Sequence, residues 1–280
     1  MNTQSECIRK TVIFSAIGIA LSASQLTLGA ITPEKAGPAV PASTTAAQQS
    51  GRDARVSQLI GKDVRNAKNE DLGDIQDLVI DMDTGRVQYA VLSFGGALGM
   101  GDKWFAYPLK AFRPAADKDE LVLNVDQAQL KSAEGFEKNR WPNWNDVDLR
   151  GRIDRWFDKQ APVTKTGRYK RASELIGGDV KDSTGKDIGD IKELVVNLAG
   201  GTVRYAIVEF DRGWFKADRY VVVPMQSLKR TGDKDDYVIS RSRTELENAP
   251  SFEKSKWPDI NDAKYRGDFD LYNSNFFAKP

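Results

Sequence analysis

The sequence predicts a mainly β protein: two tandem small β-barrels, each followed by short helices. Three observations carry that reading. The 280-residue chain contains one unit twice, because Leu59–Asp146 aligns without a gap on Leu175–Asp262 at a constant offset of 116 residues. That period exceeds the ~20–50 residues of solenoid repeats, so each copy is long enough to be a small folding unit. Within each copy, short apolar stretches alternate with turns rich in Asp, Gly and Pro, which is the punctuation of strands. One stretch per copy, V-Q-Y-A-V-L-S-F at Val87–Phe94 and V-R-Y-A-I-V-E-F at Val203–Phe210, is apolar on both faces. It therefore asks for burial on both sides, as in a closed barrel packed against something else.

The amino terminus, residues 1–30, reads as a secretory signal peptide. Arg9 and Lys10 precede the apolar stretch Thr11–Ala23, and small residues follow, with cleavage positions after Ser24 or Ala30. The stretch is short for a membrane span of about 20 residues. The alternative extends it through Leu26, Leu28 and Ile31 into an uncleaved inner-membrane anchor. Residues 31–55, rich in Ala, Pro, Ser, Thr and Gln, read as a disordered linker, since they bury too little to offset their ordering entropy. The first barrel with its carboxy-terminal helix takes 56–158, a linker 159–168, and the second barrel with its helix 169–280.

Within the first copy, Asp74–Asp83 is a strand with Leu78, Ile80 and Met82 on one face. Val79 breaks the alternation, which means a bulge or burial on both faces. The turn Asp83–Arg86 places Gly85 where φ is positive, and Val87–Phe94 returns. Lys103–Tyr107 and Arg219–Val223 are strands stopped by Pro108 and Pro224. Glu120–Val125 and Asp236–Ser240 follow Asp-Lys-Asp turns. Helices are expected at Gln127–Ser132 and Arg243–Asn248, and again beyond the Trp-Pro elements at Asp148–Phe157 and Ala263–Tyr272.

Composition narrows the chemistry. There are 41 basic and 40 acidic residues, no histidine, and a single cysteine, Cys7. Near-neutral charge disfavours phosphate-backbone binding, so no nucleic acid is expected. The absence of histidine removes Ser–His and Cys–His nucleophiles and imidazole metal sites, and one cysteine makes neither a disulfide framework nor a zinc cluster. No cofactor and no metal are expected. A mature chain without cysteine suits an oxidising compartment.

Several motifs together resemble the PRC-barrel family. They are L-I-G-K-D-V at Leu59–Val64, L-G-D-I-Q-D-L-V-I-D at Leu72–Asp81, the stretch from Val87 to Lys103, and Y-P-L-K-A-F at Tyr107–Phe112. The second copy departs at its loop, reading D-R-G-W-F-K-A-D-R where the first reads G-G-A-L-G-M-G-D-K. The resemblance implies two tandem PRC-type β-barrels of the exported bacterial kind. These are similar to the globular domain of the photosynthetic reaction centre H subunit and to the carboxy-terminal domain of a ribosome-maturation factor, which dock other proteins and bring no catalytic residues. It names no partner.

Each candidate site has a plain structural alternative. The glycines of Gly95–Gly101 lack the Gly-Lys-Ser/Thr ending of a phosphate loop and join strands, with no helix to follow; a flexible hairpin loop explains them. The acidic groups Asp81–Asp83, Asp117–Glu120 and Asp233–Asp236 lack the alternating ligands of a calcium loop and read as solvated turns. Trp141, Pro142, Asn145 and Asp146 recur as Trp257, Pro258, Asn261 and Asp262. They form either a clamp for a partner or a structural tail, in which the Trp closes the barrel and Asn or Asp caps the next helix. Arg212, Trp214, Phe215 and Lys216 make an aromatic and basic loop tip, either a binding hot spot or packing against the adjacent barrel. Asp74 and Asp190 lack the second carboxylate that acid–base work needs. The resulting expectation is a non-catalytic, periplasmic or secreted scaffold that docks a protein or envelope component. It would meet a membrane only if its amino terminus stays uncleaved, as an accessory factor of a respiratory or photosynthetic complex. A carboxylate-dependent envelope enzyme is the remaining alternative.

Overall fold

The computed structural model describes residues 52–95, 103–116, 119–159, 166–210, 219–231 and 236–276, all within one compact unit, Ser43–Pro280. The residues expected to form a signal peptide and most of those expected as linkers lie outside the described residues. The first half runs β1 (Asp53–Arg55), α1 (Val56–Leu59), β2 (Asp63–Arg65), β3 (Asp71–Asp81), β4 (Val87–Phe94), β5 (Lys103–Pro108), β6 (Phe112–Pro114), β7 (Leu121–Leu123), α2 (Gln127–Ser132), β8 (Phe136–Glu137) and α3 (Val147–Phe157). The second half repeats it as β9 (Tyr169–Arg171), α4 (Ala172–Leu175), β10 (Asp179–Lys181), β11 (Asp187–Asn197), β12 (Thr202–Phe210), β13 (Arg219–Pro224), β14 (Leu228–Thr231), β15 (Asp236–Ile239), α5 (Arg243–Glu247), β16 (Ser251–Glu253) and α6 (Ala263–Phe276).

The fold is mainly β, built on two eight-stranded sheets of matching order. One runs β6-β7-β2-β3-β4-β5-β8 and the other β14-β15-β10-β11-β12-β13-β16. The eighth strand of each sheet comes from the opposite half. β1 pairs with β11, Asp53 opposite Asn197 and Arg55 opposite Val195. β9 pairs with β3, Tyr169 opposite Asp81 and Arg171 opposite Val79. Shifted by 116 residues, one pairing is the other, so the halves exchange their first strands around a pseudo-twofold axis. The turns at that axis also pair. The N–H of Val87 donates to the carbonyl of Gly201 at 2.9 Å and that of Val203 to Gly85 at 2.8 Å. Gly85 and Gly201 both have positive φ, 70° and 60°, a conformation that costs glycine nothing.

This interlock corrects two expectations. The linker predicted through Arg55 ends earlier, because Asp53–Arg55 is a strand. The second unit predicted to begin at Tyr169 opens with a strand that belongs to the first half's sheet. Three residues are too few to show a period, and what makes them a strand is an edge 140–144 residues away for β1 and 88–92 for β9. The closed barrels are a third correction. Among the described residues, the end strands β6 and β8 pair only inward along the sheet, with β7 and β5. Two or three residues long, they offer little ladder for closure.

The double burial of β4 follows from what lies on each side of the sheet. Leu78, Ile80, Ala90 and Leu92 join a core that also takes Leu194, Ala206 and Val208 from the second half. Val79, Tyr89 and Val91 face the other way, into a cluster with Trp104 and Trp144. Register shifts between Ile75 and Asp77 and between Val79 and Ile80 let β3 serve both sides, as the broken alternation at Val79 predicts. At Gly73, φ is +96° and a Cβ would stand 1.7 Å from the carbonyl oxygen of Ser93, so β3 and β4 approach there only because the residue is glycine.

Candidate functional site

The Trp-Pro tails lie on the outer face of each sheet and grip the exchanged strand. Trp141 meets Trp104 edge-on at 5.0 Å and Phe136 at 5.5 Å. The guanidinium of Arg171, on β9, stacks 4.2 Å over its ring. Arg55, on β1, stacks at 4.7 Å over Trp257, which packs with Phe252 and Tyr220. The Asn145 side chain accepts the N–H of Tyr169 at 2.8 Å. Asn261 accepts the N–H of Asp53 at 2.8 Å and donates to its carbonyl at 2.9 Å. The following acids cap the helices: Asp146 accepts from Asp148 and Leu149 at the start of α3, and Asp262 from Lys264 and Tyr265 at the start of α6. Pro142 and Pro258 sit half-buried beside the rings. The clamp is thus occupied in each half by a strand of the same chain.

Each terminal helix is fastened to its sheet by one tyrosine. The Tyr89 hydroxyl, on β4, donates to Asp154 of α3 at 3.0 Å, and Tyr205, on β12, donates to Asp270 of α6. Burial pushes both phenols up, so they remain donors at all ordinary pH.

At the start of the exchanged strand the halves differ. Asp53 is buried, and its carboxylate receives the Asn197 amide at 2.7 Å and Arg204 at 3.0 Å, with Arg266 at 3.9 Å. Its counterpart is Tyr169, whose ring lies 4.0 Å under the buried guanidinium of Arg150, the counterpart of Arg266. A buried carboxylate recurs deeper in the seam. Asp77 accepts the Ser173 hydroxyl at 2.5 Å and the N–H groups of Ser173 and Leu78. Burial raises its pKa above the ordinary value of 3.8, against those hydrogen bonds and Arg171, which pull it down. In the other seam Glu193 takes the N–H of Ser57 at 3.4 Å.

Asp74 and Asp190 are engaged locally. Asp74 accepts from Ser93 and Gln76, and Asp190 pairs with Lys192 at 2.6 Å, which also reaches Glu209 at 2.9 Å. Among the described residues no group of three acids or cysteines could hold a metal ion. No helix there is long and apolar enough to cross a membrane. Arg212, Trp214, Phe215 and Lys216 lie outside the described residues, in the connection from β12 to β13, and Gly96–Gly101 likewise between β4 and β5. The Asp53, Arg204 and Arg266 cluster was not read from sequence. Its one signal was the matched pair Arg150 and Arg266, which sits inside a helix pattern and gives no hint of a strand from the other half.

A family model of the PRC-barrel domain matches residues 52–130 and again 168–246, more than half of the chain. Each match begins at an exchanged strand. No curated protein matches the chain.

Proposed function

We infer, from the premise that this chain belongs to the PRC-barrel family, that it is an exported, non-catalytic scaffold whose binding surface is the β12–β13 connection of its second half. The observation that carries this is a change of residue class in one loop. In an alignment that needs no gap, the loop reading G-G-A-L-G-M-G-D-K in one copy reads D-R-G-W-F-K-A-D-R in the other. Trp214 and Phe215 replace Leu98 and Gly99, flanked by Arg212 and Lys216. Aromatic residues beside arginine are the composition of interface hot spots. The tails offer no competing surface, since they hold the chain's own strands. Export is read from the basic, apolar and small-residue order of residues 1–30, and periplasmic or secreted placement follows from it.

A photo-crosslinking residue at position 214, compared with the same residue at position 98, tests the reading in whole cells. A discrete envelope-protein adduct at 214 and none at 98 is expected, with mature protein beginning near residue 25 or 31. Equal adducts at both positions would end the loop hypothesis. An intact amino terminus in the membrane fraction would favour the anchored accessory factor, whose support is the apolar extension through Leu26, Leu28 and Ile31.

A further inference from the structure

In the first half β8 covers only the start of β5, pairing with Lys103 and Trp104. The matched edge of the second half is closed further along. There β16 reaches Val221, and the N–H of Val222 donates to the carbonyl of Pro250 at 3.2 Å. Val222 is the counterpart of Ala106 and shows the direction of its main chain, since groups two residues apart on an antiparallel strand point the same way. The N–H and C=O of Ala106 therefore point away from β4, and among the described residues nothing bonds to them. Beside them a groove of ≈ 350 Å³ runs between β5 and α3, within the ~300–1,000 Å³ of ligand sites. Its walls are mainly apolar: Phe105, Tyr107, Ile153 and Trp156, which is 40 % exposed and meets Tyr107 edge-on at 5.5 Å. Of the charged residues in the wall, Arg152 and Glu134 pair with each other at 3.1 Å. Arg155 has no hydrogen bond or ion pair among the described residues. Its guanidinium lies back over Gly151, where a Cβ would stand 3.1 Å from Nη1.

We propose that this groove binds the free carboxy-terminal end of an extended peptide, which pairs with Ala106, lays an apolar last side chain against Trp156 and sets its carboxylate on Arg155. Each part of the occupant answers to one feature. A donor and an acceptor side by side on a strand edge are matched by another main chain. The wall of Trp156, Tyr107 and Ile153 takes a large apolar side chain. The unpaired charge is positive, and the fork of a guanidinium fits a carboxylate. The second half has neither the open edge nor the charge, because Pro250 engages Val222 and Leu271 stands where Arg155 does. The groove belongs to the first half, so it stands or falls separately from the Trp214 loop.

A random library of hexapeptides with free carboxy termini, selected on the mature chain, tests the site; enriched peptides are then resynthesised and titrated by fluorescence anisotropy. They are expected to end in a large apolar residue and to bind one to one. Affinity should fall at least tenfold when the peptide ends in a carboxamide, and at least tenfold in Arg155→Leu, which installs the residue found at position 271. Arg155 is exposed, so that variant should melt within about 2–3 °C of the parent, the shift of a surface change. Leu271→Arg should bind within twofold of the parent. Amide exchange at Ala106 should slow at least tenfold in the complex. No enrichment, equal affinity of the carboxamides, or unchanged exchange at Ala106 would overturn the proposal. So would binding that survives Arg155→Leu and is lost in Trp214→Ala, which would move the peptide to the loop of the second half.

Discussion

The two seams of this molecule are related by a 116-residue shift, yet they are closed with different chemistry. In one, β1 is held by a buried carboxylate shared among an amide and two guanidinium groups, Asp53 with Asn197, Arg204 and Arg266. In the other, β9 is held by a ring, Tyr169 under Arg150, beside a cluster of Trp104, Trp141, Trp144 and Phe136. The parts common to both are those the backbone requires: Asn145 and Asn261 on the incoming N–H, Arg171 and Arg55 on the tail tryptophans, Asp77 and Glu193 on the serine N–H. Strand exchange therefore rests on main-chain geometry and a few polar fasteners, and the space between them tolerates either an ion cluster or an aromatic one.

The strongest break of that comparison is Asp53→Ala. It leaves the Asn197 amide and Arg266 without their acceptor and Arg204 with Asp270 alone, and about 3 kcal/mol of stability should be lost in urea denaturation. Tyr169→Phe should cost under ~1 kcal/mol, since the ring stays under Arg150. A small loss for Asp53→Ala would mean that the ion cluster does not hold β1. Next comes Trp144→Ile, which installs the residue found at position 260. Trp144 is 4 % exposed and contacts Tyr89, Phe136 and Trp141, so a loss of about 2–3 kcal/mol is expected from the cavity. Neutrality would show that the aromatic cluster repacks as the second half does.

Asp77→Asn gives a smaller, pH-dependent effect. The folded pKa of Asp77 is raised above its unfolded 3.8, so the native state binds the proton more tightly. The group's contribution is fully present below pH 3.8 and is lost as pH rises through the folded value. The variant keeps one oxygen to accept the N–H groups of Ser173 and Leu78, meets the Ser173 hydroxyl with an amide donor in place of the second oxygen, and has no proton to lose. Its stability relative to wild type should therefore rise as pH climbs from 3.8, measured by denaturation at pH 3.5, 5 and 7; a constant difference across that range would contradict it. The smallest expected change is from cutting the chain. A protease site placed within residues 160–165 and cleaved should leave the two halves co-eluting, because each sheet contains a strand of the other. Separation in native buffer would refute the interlock.

Much of the fold was legible along the chain. Strand β4 matches its predicted limits, α2 likewise, and α3 begins one residue before the predicted Asp148; these are elements with enough residues to display a period or a cap. Asp146 and Asp262 could be read as caps because an N-cap is a local event. Strands of three residues, β1, β2, β6 and β9, carry no such signal, and the one-turn helices α1 and α4 are too short to show one, ending on the leucine that opens the Leu-Ile-Gly motif. The role of Asn145 and Asn261 was half visible: their recurrence marks them, but what they grip lies 24 and 208 residues away.

By itself the sequence determined the duplication, the strand-rich pattern, the family motifs and the absence of imidazole chemistry, because these depend on composition and on contacts a few residues apart. Only the tertiary structure decided that the halves trade their first strands, that the Trp-Pro tails close on those strands, and that one seam is closed by a ring where the other buries a carboxylate. An exposed strand edge can be completed by any three-residue segment of suitable backbone. Which segment completes it is settled by what else is buried when it docks, and that sum is taken over residues the chain brings together only on folding.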